Sequence, residues 1–566
     1  MNYPKEQIVD ELNKTILSAS GFRKEFGDGQ LIKDTDSYLT MAAACSFARF
    51  LRSEVGNSAK LIISSDSRPS GPALQNLVYF VFSTLGLKVT SLPVCALPEL
   101  SSIVRAGGYD GFFYISASHN PPADNGFKFG LSDGAVLAAN KCKLVINYFK
   151  NLILNPSEEF LKLTGIYSKV TIKNLAIAHN SYQQTMLATL GNEQVVAAIK
   201  LSLARKPLGV VIDYNGSARI NSIDREFLKD LGIKSVTINH QLGRFAHDII
   251  PEGENLEPAR KLLEREHQND SDYLLGFCPD CDGDRGNLVY YDEAKQQAVT
   301  MGAQLVFALS VLSELAYLSY LNTEMTKVAV VANCATSLRI NAICTAFGVK
   351  LFTTETGEAN VVGKAAALRE EGYTVRILGE GSNGGNITYP NVIRDPLSTL
   401  CSLIKLLAVP QLYQLWCTAS GQSYEAHFTL ADIIAGLPNY STTSIASAEN
   451  MLQVKSSPKL KAAYEEAFIA QWPQLQTIFT EFGYTVTNYQ FINYEGQTER
   501  AGKGSRSGDE SGGLRTIFYN EDIPLGFFWL RGSKTEPVMR IMVDIKDGNP
   551  ALLSRLQSFL TGLIIG

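Results

Sequence analysis

Strand-like apolar runs alternate with amphipathic helical stretches along most of this chain, and that alternation limits the folds open to it. "KLIISSD" (60–66) reads as a buried strand, and "PALQNLVYFVFSTLG" after it sets Leu74, Leu77, Val78, Val81 and Leu85 on one helical face. The strand "KVTSLPV", the helix "PELSSIVRAG" and the strand "GFFYISAS" continue the series. This order predicts a parallel α/β layer with helices as crossovers. The pattern returns from Leu208 ("LGVVIDYN", "LEPARKLLEREHQ", "YLLGFCPD"). It returns again from Lys327 ("KVAVVANC", "SLRINAICTAFG", "KLFTTET", "ANVVGKAAALREEG", "TVRILGE"). The expected fold class is therefore α/β, with three similar mixed α/β domains. After about Leu437 a charged helix ("KLKAAYEEAFIAQW") and further strands predict a smaller C-terminal α+β domain.

A chain of 566 residues is too long for one core and suggests three or four domains. The net charge of -5 argues against nucleic acid or an anionic membrane as main partner, and leaves a small anionic substrate open. "MNYPKEQIVDELNK" lacks the apolar centre of a signal peptide. "MGAQLVFALSVLSELAYLSYL" carries Gln304 and Glu314 and reads as a buried helix, not a membrane span. Nine scattered cysteines fit a reducing cytoplasm. "CPDC" (278–281) imitates a redox or zinc pair, but no second pair accompanies it. "AGKGSRSGDESGG" (501–513) predicts a flexible loop; it is no P-loop, because Gly504 holds the Ser/Thr position.

In open α/β sheets ligands collect beyond the carboxyl ends of the strands, and four unusual loops fall there. "SASHNPPADNGFKFG" presents Ser118 next to His119, with Lys128 following; a serine needs a base or a metal-polarised target to react. In "FCPDCDGDRG" an extended backbone would point Asp280, Asp282 and Asp284 to one side, and such carboxylates call for a hard cation such as Mg²⁺. "LGEGSNGGNITYP" offers Glu380 and Ser382 to sugar hydroxyls. "RGSKTEPVMR" gathers Arg531, Ser533, Lys534 and Thr535, with Arg540 near, into an anion site. A nucleophile, a metal, a hydroxyl reader and a phosphate grip together describe phosphoryl transfer on a phosphorylated sugar.

In these four loops, in this order, the chain resembles the α-D-phosphohexomutase superfamily, of the phosphoglucomutase/phosphomannomutase type. "SASHNP" is similar to its phosphoserine loop, "DCDGDR" to its metal loop, "GEGSNGG" to its sugar loop and "RGSKTEP" to its phosphate loop; "SGFRK" and "DSRPSG" resemble its first-domain signatures. The resemblance implies four domains (1–203, 204–298, 299–436 and 437–566, one loop in each) around a central cleft. It also implies that Ser118 carries a phosphate, and that Mg²⁺ is held by Asp280, Asp282, Asp284 and that phosphate. A glucose 1,6-bisphosphate intermediate would turn over in the cleft. By position, Lys128 would serve as general acid or base, the base role requiring a pKa lowered toward neutrality; Arg285 and Arg23 would contact phosphate or substrate, and His119 would orient the loop. In "TGEANVVGK", Gly357 and Glu358 would face the sugar, Glu358 standing where some relatives carry histidine or an aromatic residue. The sugar loop departs from the usual Gly-Glu-x-Ser-Gly-His, and Lys534 stands where Gly or Asn is usual.

The first expectation is a cytoplasmic phosphoglucomutase, monomer or homodimer, acting on hexose phosphates without nucleic acid or membrane. "SGFRK" leans to glucose. Phosphomannomutase comes next and phosphoglucosamine mutase third: "ISASHNP" favours the latter, while the long fourth domain and the unusual sugar loop count against it. A metal-dependent sugar phosphatase using Asp280 would survive loss of Ser118. A non-catalytic sugar-phosphate binder would show no Ser118-dependent turnover.

Overall fold

The apolar runs form the inner strands of four sheets. The computed structural model describes residues 5–18, 21–27, 29, 31–163, 174–454, 458–508, 512–532 and 538–566. The chain forms two compact units, Met1–Gly302 with Gly385–Val409, and Ala303–Gly384 with Pro410–Gly566.

In the first unit, β1 (Ile16–Ser18), β2 (Gly21–Glu25), β3 (Lys60–Ser65), β4 (Lys88–Ser91), β5 (Gly111–Ile115) and β6 (Asp124–Leu131) make one sheet in the order β1-β2-β6-β5-β3-β4. It is mixed, with the expected parallel layer at β3, β4 and β5. β3 runs parallel to β4 and β5, but β6 and β2 pair antiparallel. The cause is the Pro121-Pro122 segment: proline cannot donate to a ladder, and tight turns at Asn120 and Asp124 send the chain back along β5. One face is filled by Phe22, Phe47, Phe82, Phe113, Phe127 and Phe129, several meeting edge to face.

The same device recurs in the second sheet. β7 (Gly209–Asp213) runs parallel to β8 (Lys234–Ile238) and β9 (Tyr273–Pro279); β9 then turns back into β10 (Gly286–Asp292) and β11 (Gln297–Thr300). Asp395 caps the helix Pro396–Ala408 by accepting from the Leu397 N–H. It also accepts from the Tyr182 hydroxyl (2.8 Å) and the buried Arg219 (3.2 Å), so one carboxylate joins three elements.

In the second unit, strands Ala329–Asn333, Lys350–Thr354 and Ile377–Glu380 are parallel. Helix Ala303–Tyr320 is the one described helix long and apolar enough to cross a membrane, yet 72% of it is buried within the protein, and its Glu314 accepts from Arg376 at 2.6 Å. The last sheet is antiparallel through Asn488–Glu495, Gly513–Asn520, Ile523–Gly532 and Met539–Lys546. The helix Pro550–Ile565 contributes Leu552, Leu556 and Leu560 to the core of this region. The loop expected to be flexible is tied down in its described part. Buried Glu465 accepts from the Gly504 N–H and from Arg506 (2.7 Å), and Ser507 N–H donates to Glu495. Residues 509–511 lie outside the described residues.

Glu99, on the helix Leu97–Arg105, has no exposed surface. Burial pushes its carboxyl up to about 8, against Ser222 and Arg219. The unfolded value is near 4.5, so the folded chain keeps a proton that the unfolded chain releases, and stability falls as pH rises from about 4.5 to about 8. Glu99→Gln keeps the shape without the ionisation. It should raise the thermal midpoint at pH 8 and leave it little changed at pH 5 by scanning calorimetry; an equal effect at both would count against this assignment.

Candidate active site

Ser118 lies just past the end of β5 with φ 56°, in the left-handed region that side chains rarely occupy, and it is fully buried. Arg68 holds it there. Its Nε donates to Asp66 (3.1 Å), one terminal nitrogen to the carbonyls of Pro121 and Asp124, and the other to those of Ser118 and Asn120, both at 2.7 Å. All five guanidinium N–H donors are thereby used on one loop and one counter-ion. The Ser118 N–H donates to Ser116 Oγ (2.8 Å), and the Ser118 hydroxyl donates to Asp280 Oδ2 (2.9 Å).

The three aspartates converge, their ligand oxygens within 4.8 Å of one another, but not by the expected route. Asp280–Arg285 is a tight turn between β9 and β10, not extended strand. Gly283 sits at φ 69°, where a Cβ would strike Arg219 Cγ at 2.4 Å. Asp280 N–H donates to Arg285 O, and Asp280 Oδ1 accepts from Arg285 N–H, which closes the turn. The carbonyls of Cys281 and Asp282 accept from Ala218 N–H and Leu97 N–H. The turn is thus pinned by helices on both sheets.

Lys128, on β6, donates to Asp282 Oδ2 (2.5 Å) and Asp284 Oδ2 (2.9 Å); Arg394 donates to Asp284 Oδ2 (2.8 Å) and Ser116 to Asp282 Oδ2 (2.9 Å). Burial and the two neighbouring carboxylates push Asp280 well above the carboxylate range. For Asp284, Arg394, Lys128 and Arg285 outweigh burial and hold it below that range. Burial works to lower Lys128, but Asp282 and Asp284 more than offset it, so its value is raised. In this arrangement the ammonium itself neutralises two carboxylates. Asp282 Oδ1 and Asp284 Oδ1 are buried without a hydrogen-bond partner, and those orphan oxygens fit a hard divalent cation.

Arg23, on β2, reaches Asn120 Oδ1 at 3.4 Å; burial and Arg285 lower it to about 10. His119 Nδ1 lies 3.4 Å from Ser118 Oγ, and Arg285, burial, Arg23 and Arg394 hold the imidazole neutral, well below the usual histidine range. Ser118, His119, Lys128, Arg23, Arg285 and the three aspartates thus form one cluster in the first unit.

In the second unit, Glu380 accepts from Gly357 N–H (2.7 Å), Asn333 (3.0 Å) and Asn383 (3.2 Å); Asn333 lies 3.5 Å from Ser382 Oγ. Gly357, at φ 121°, caps the helix that opens with Glu358. Glu355, two residues earlier, receives Arg531 at 3.4 Å, so the end of the strand Ile523–Gly532 meets the sugar segment. Arg531 and Arg540 stand directly opposite across two strands. Like charges in that register repel, and an anion between them removes the cost. Ser533, Lys534 and Thr535 lie outside the described residues.

Three arginines carry roles that the sequence reading left unassigned. Arg68 lay in the quoted "DSRPSG" signature, which was a signal. Arg394 gives none, since it meets Asp284 only through folding. Arg515 donates to the carbonyls of Cys334 and Thr336 and steadies the loop beside Asn333.

Residues 14–154 match the family model for phosphoglucomutase/phosphomannomutase, alpha/beta/alpha domain I, and residues 312–420 match alpha/beta/alpha domain III. These two matches, together less than half of the chain, are to domains of the phosphoglucomutase/phosphomannomutase family. It is 28% identical over 323 residues to the phosphoglucosamine mutase of Lactobacillus johnsonii, a match covering 56% of this chain and 63% of that protein. To the phosphoglucosamine mutase of Caldicellulosiruptor saccharolyticus it is 25% identical over 402 residues, 68% of this chain and 78% of that one. Its fold is similar to that of parafusin, a phosphoglucomutase of Paramecium in an open form, with a TM-score of 0.67 at 15% identity over 97% of this chain and 94% of that one.

Arg68→Lys keeps the charge but loses the fork that holds four carbonyls. Because a displacement of roughly 1 Å can cost about 10²-fold in rate, Ser118-dependent turnover should fall by about that factor while circular dichroism stays native. Unchanged turnover would mean that the clamp does not position Ser118.

Proposed function

We propose that this chain is a phosphohexomutase that moves a phosphoryl group between the 1- and 6-oxygens of a hexose phosphate, with glucosamine phosphate ahead of glucose phosphate. The observation that carries the reaction class is Ser118, clamped by Arg68 in a left-handed turn with its hydroxyl on Asp280 beside two further carboxylates. The names of the similar curated relatives support the amino sugar. The resemblance of "SGFRK" to phosphoglucomutases supports glucose as the second reading.

Mg²⁺ would be held by Asp280, Asp282, Asp284 and phosphorylated Ser118, and when bound it supplies Lewis-acid polarisation of the phosphoryl group. The protein's own side chains supply the rest. Arg23, Arg285 and Arg394 set positive charge around His119, which neighbours the serine, and such charge suits the equatorial oxygens of a transferring phosphoryl group. Lys128, a charged donor beside Asp282, is the group placed to give a proton. Neutral His119 orients the loop. Glu380, Ser382 and Glu358 read the sugar, and Arg531 and Arg540, with Ser533, Lys534 and Thr535, grip its second phosphate. A hexose 1,6-bisphosphate is the intermediate, the partners are small sugar phosphates, and the setting is cytoplasmic, as monomer or homodimer.

The test is ³¹P NMR on purified protein with Mg²⁺, a trace of the matching 1,6-bisphosphate, and glucosamine, glucose or mannose 1-phosphate in separate tubes. A growing 6-phosphate signal without free phosphate is expected, fastest for glucosamine. Chelation should abolish it, and Ser118→Ala should lower it by roughly 10³-fold or more. Inorganic phosphate released even by Ser118→Ala would mean a phosphatase. Binding without turnover would mean a sugar-phosphate receptor.

A further inference from the structure

The "CPDC" pair does not form in the fold. The turn at Asp280 carries the two sulfurs to different neighbours: Cys281 Sγ lies 3.5 Å from Ser67 Oγ, while Cys278, near the end of β9, shares a cluster with Asp213 and His247. Asp213 ends the adjacent parallel strand β7, where Ile212 pairs with Phe277. His247 comes from the segment after β8. One ligand atom from each of the three lies within 4.8 Å of the other two.

The second atom of each polar ligand is already committed. Asp213 Oδ1 accepts from Asn215 N–H (3.1 Å) and Asn239 Nδ2 (2.9 Å). His247 Nδ1 lies 2.9 Å from the Asp248 carbonyl, which can only accept, so that nitrogen carries a hydrogen. An imidazole bonded to a carbonyl through one nitrogen offers the other as a ligand, the arrangement that orients metal-binding histidines. A neutral ring then turns its Nε2 lone pair on Asp213 Oδ2 at 3.0 Å. Two acceptors at that distance need either a proton or a cation between them. Cys278 Sγ adds a third, softer donor. Asp213 and Cys278 are buried, while the His247 side chain is 14% exposed and leaves a way in from solvent.

We propose that Asp213 Oδ2, His247 Nε2 and Cys278 Sγ form a second cation site, for a transition metal of the zinc class, separate from the carboxylate cluster. Sulfur and imidazole donors select such a metal over Mg²⁺, and three protein ligands leave a fourth tetrahedral position for water. The site clips β7 and β9 to the segment after β8, two residues before Asp280.

The experiment is a Co²⁺ titration of the full-length, chelator-stripped chain in excess Mg²⁺, read by absorption. One equivalent should produce a thiolate-to-cobalt charge-transfer band with the visible bands of a tetrahedral centre. Cys278→Ser should abolish the charge-transfer band, His247→Ala should weaken binding by about tenfold or more, and Cys281→Ser and Asp284→Asn should leave the band in place. Absence of the band at one equivalent, its survival in Cys278→Ser, or its loss in Asp284→Asn overturns the proposal; a proton then bridges Asp213 and His247. Should Cys278→Ser fail to fold, X-ray absorption of the zinc-loaded wild type decides: one sulfur among nitrogen and oxygen ligands supports the site, and a shell without sulfur refutes it.

Discussion

Three carboxylates held out of water within 4.8 Å cannot all keep their charge unless cations surround them. Most of what is unusual in the first unit answers that constraint. Lys128 reaches in from β6, Arg394 from the segment before the helix Pro396–Ala408, and the Arg285 charge adds from the turn itself. The same ring of arginines strips the proton from His119. Beneath it, Asp66 balances Arg68, so that the clamp on the serine loop adds little net charge to the site. Electrostatics here thus fixes geometry as well as affinity.

Both candidate loops of the first unit are built alike. An inner strand of a parallel core, β5 or β9, ends at a short turn and is sent back as an antiparallel strand. Proline enforces the turn in one case and a left-handed glycine in the other. In the second unit the loop follows another inner parallel strand, Ile377–Glu380. The candidate site residues of these loops therefore follow strands that are paired on both sides.

Features set by local periodicity or by a contiguous motif were legible in the sequence: the strand–helix alternation, Ser118, the aspartates, and the Glu380 loop. Features made by distant contacts were not. Arg394 lies 110 residues from Asp284, and no spacing rule joins them. The motif brings the aspartates together through a turn at Gly283 and not through strand alternation, although both put i, i+2 and i+4 on one side. Glycine and serine make 501–513 read as flexible, but its described part is held by Glu465, on a preceding helix. Lys128 showed the same limit: its lysine identity was visible, but the two carboxylates that raise its pKa were not.

The left-handed backbone at Ser118 bears on how such a serine can first be charged. A modifying enzyme that works on peptides needs its target hydroxyl on an accessible, pliable segment. Here the hydroxyl is fully buried, and the main chain around it is fastened through four carbonyls to one arginine. In the proposed mutase a phosphate donor would have to come to the serine, as a molecule small enough to enter and anionic enough to be drawn by nearby arginines. Under the proposed reaction, the priming of each new copy of the chain then depends on the supply of sugar bisphosphate, and a cell poor in that compound would hold the protein folded but idle.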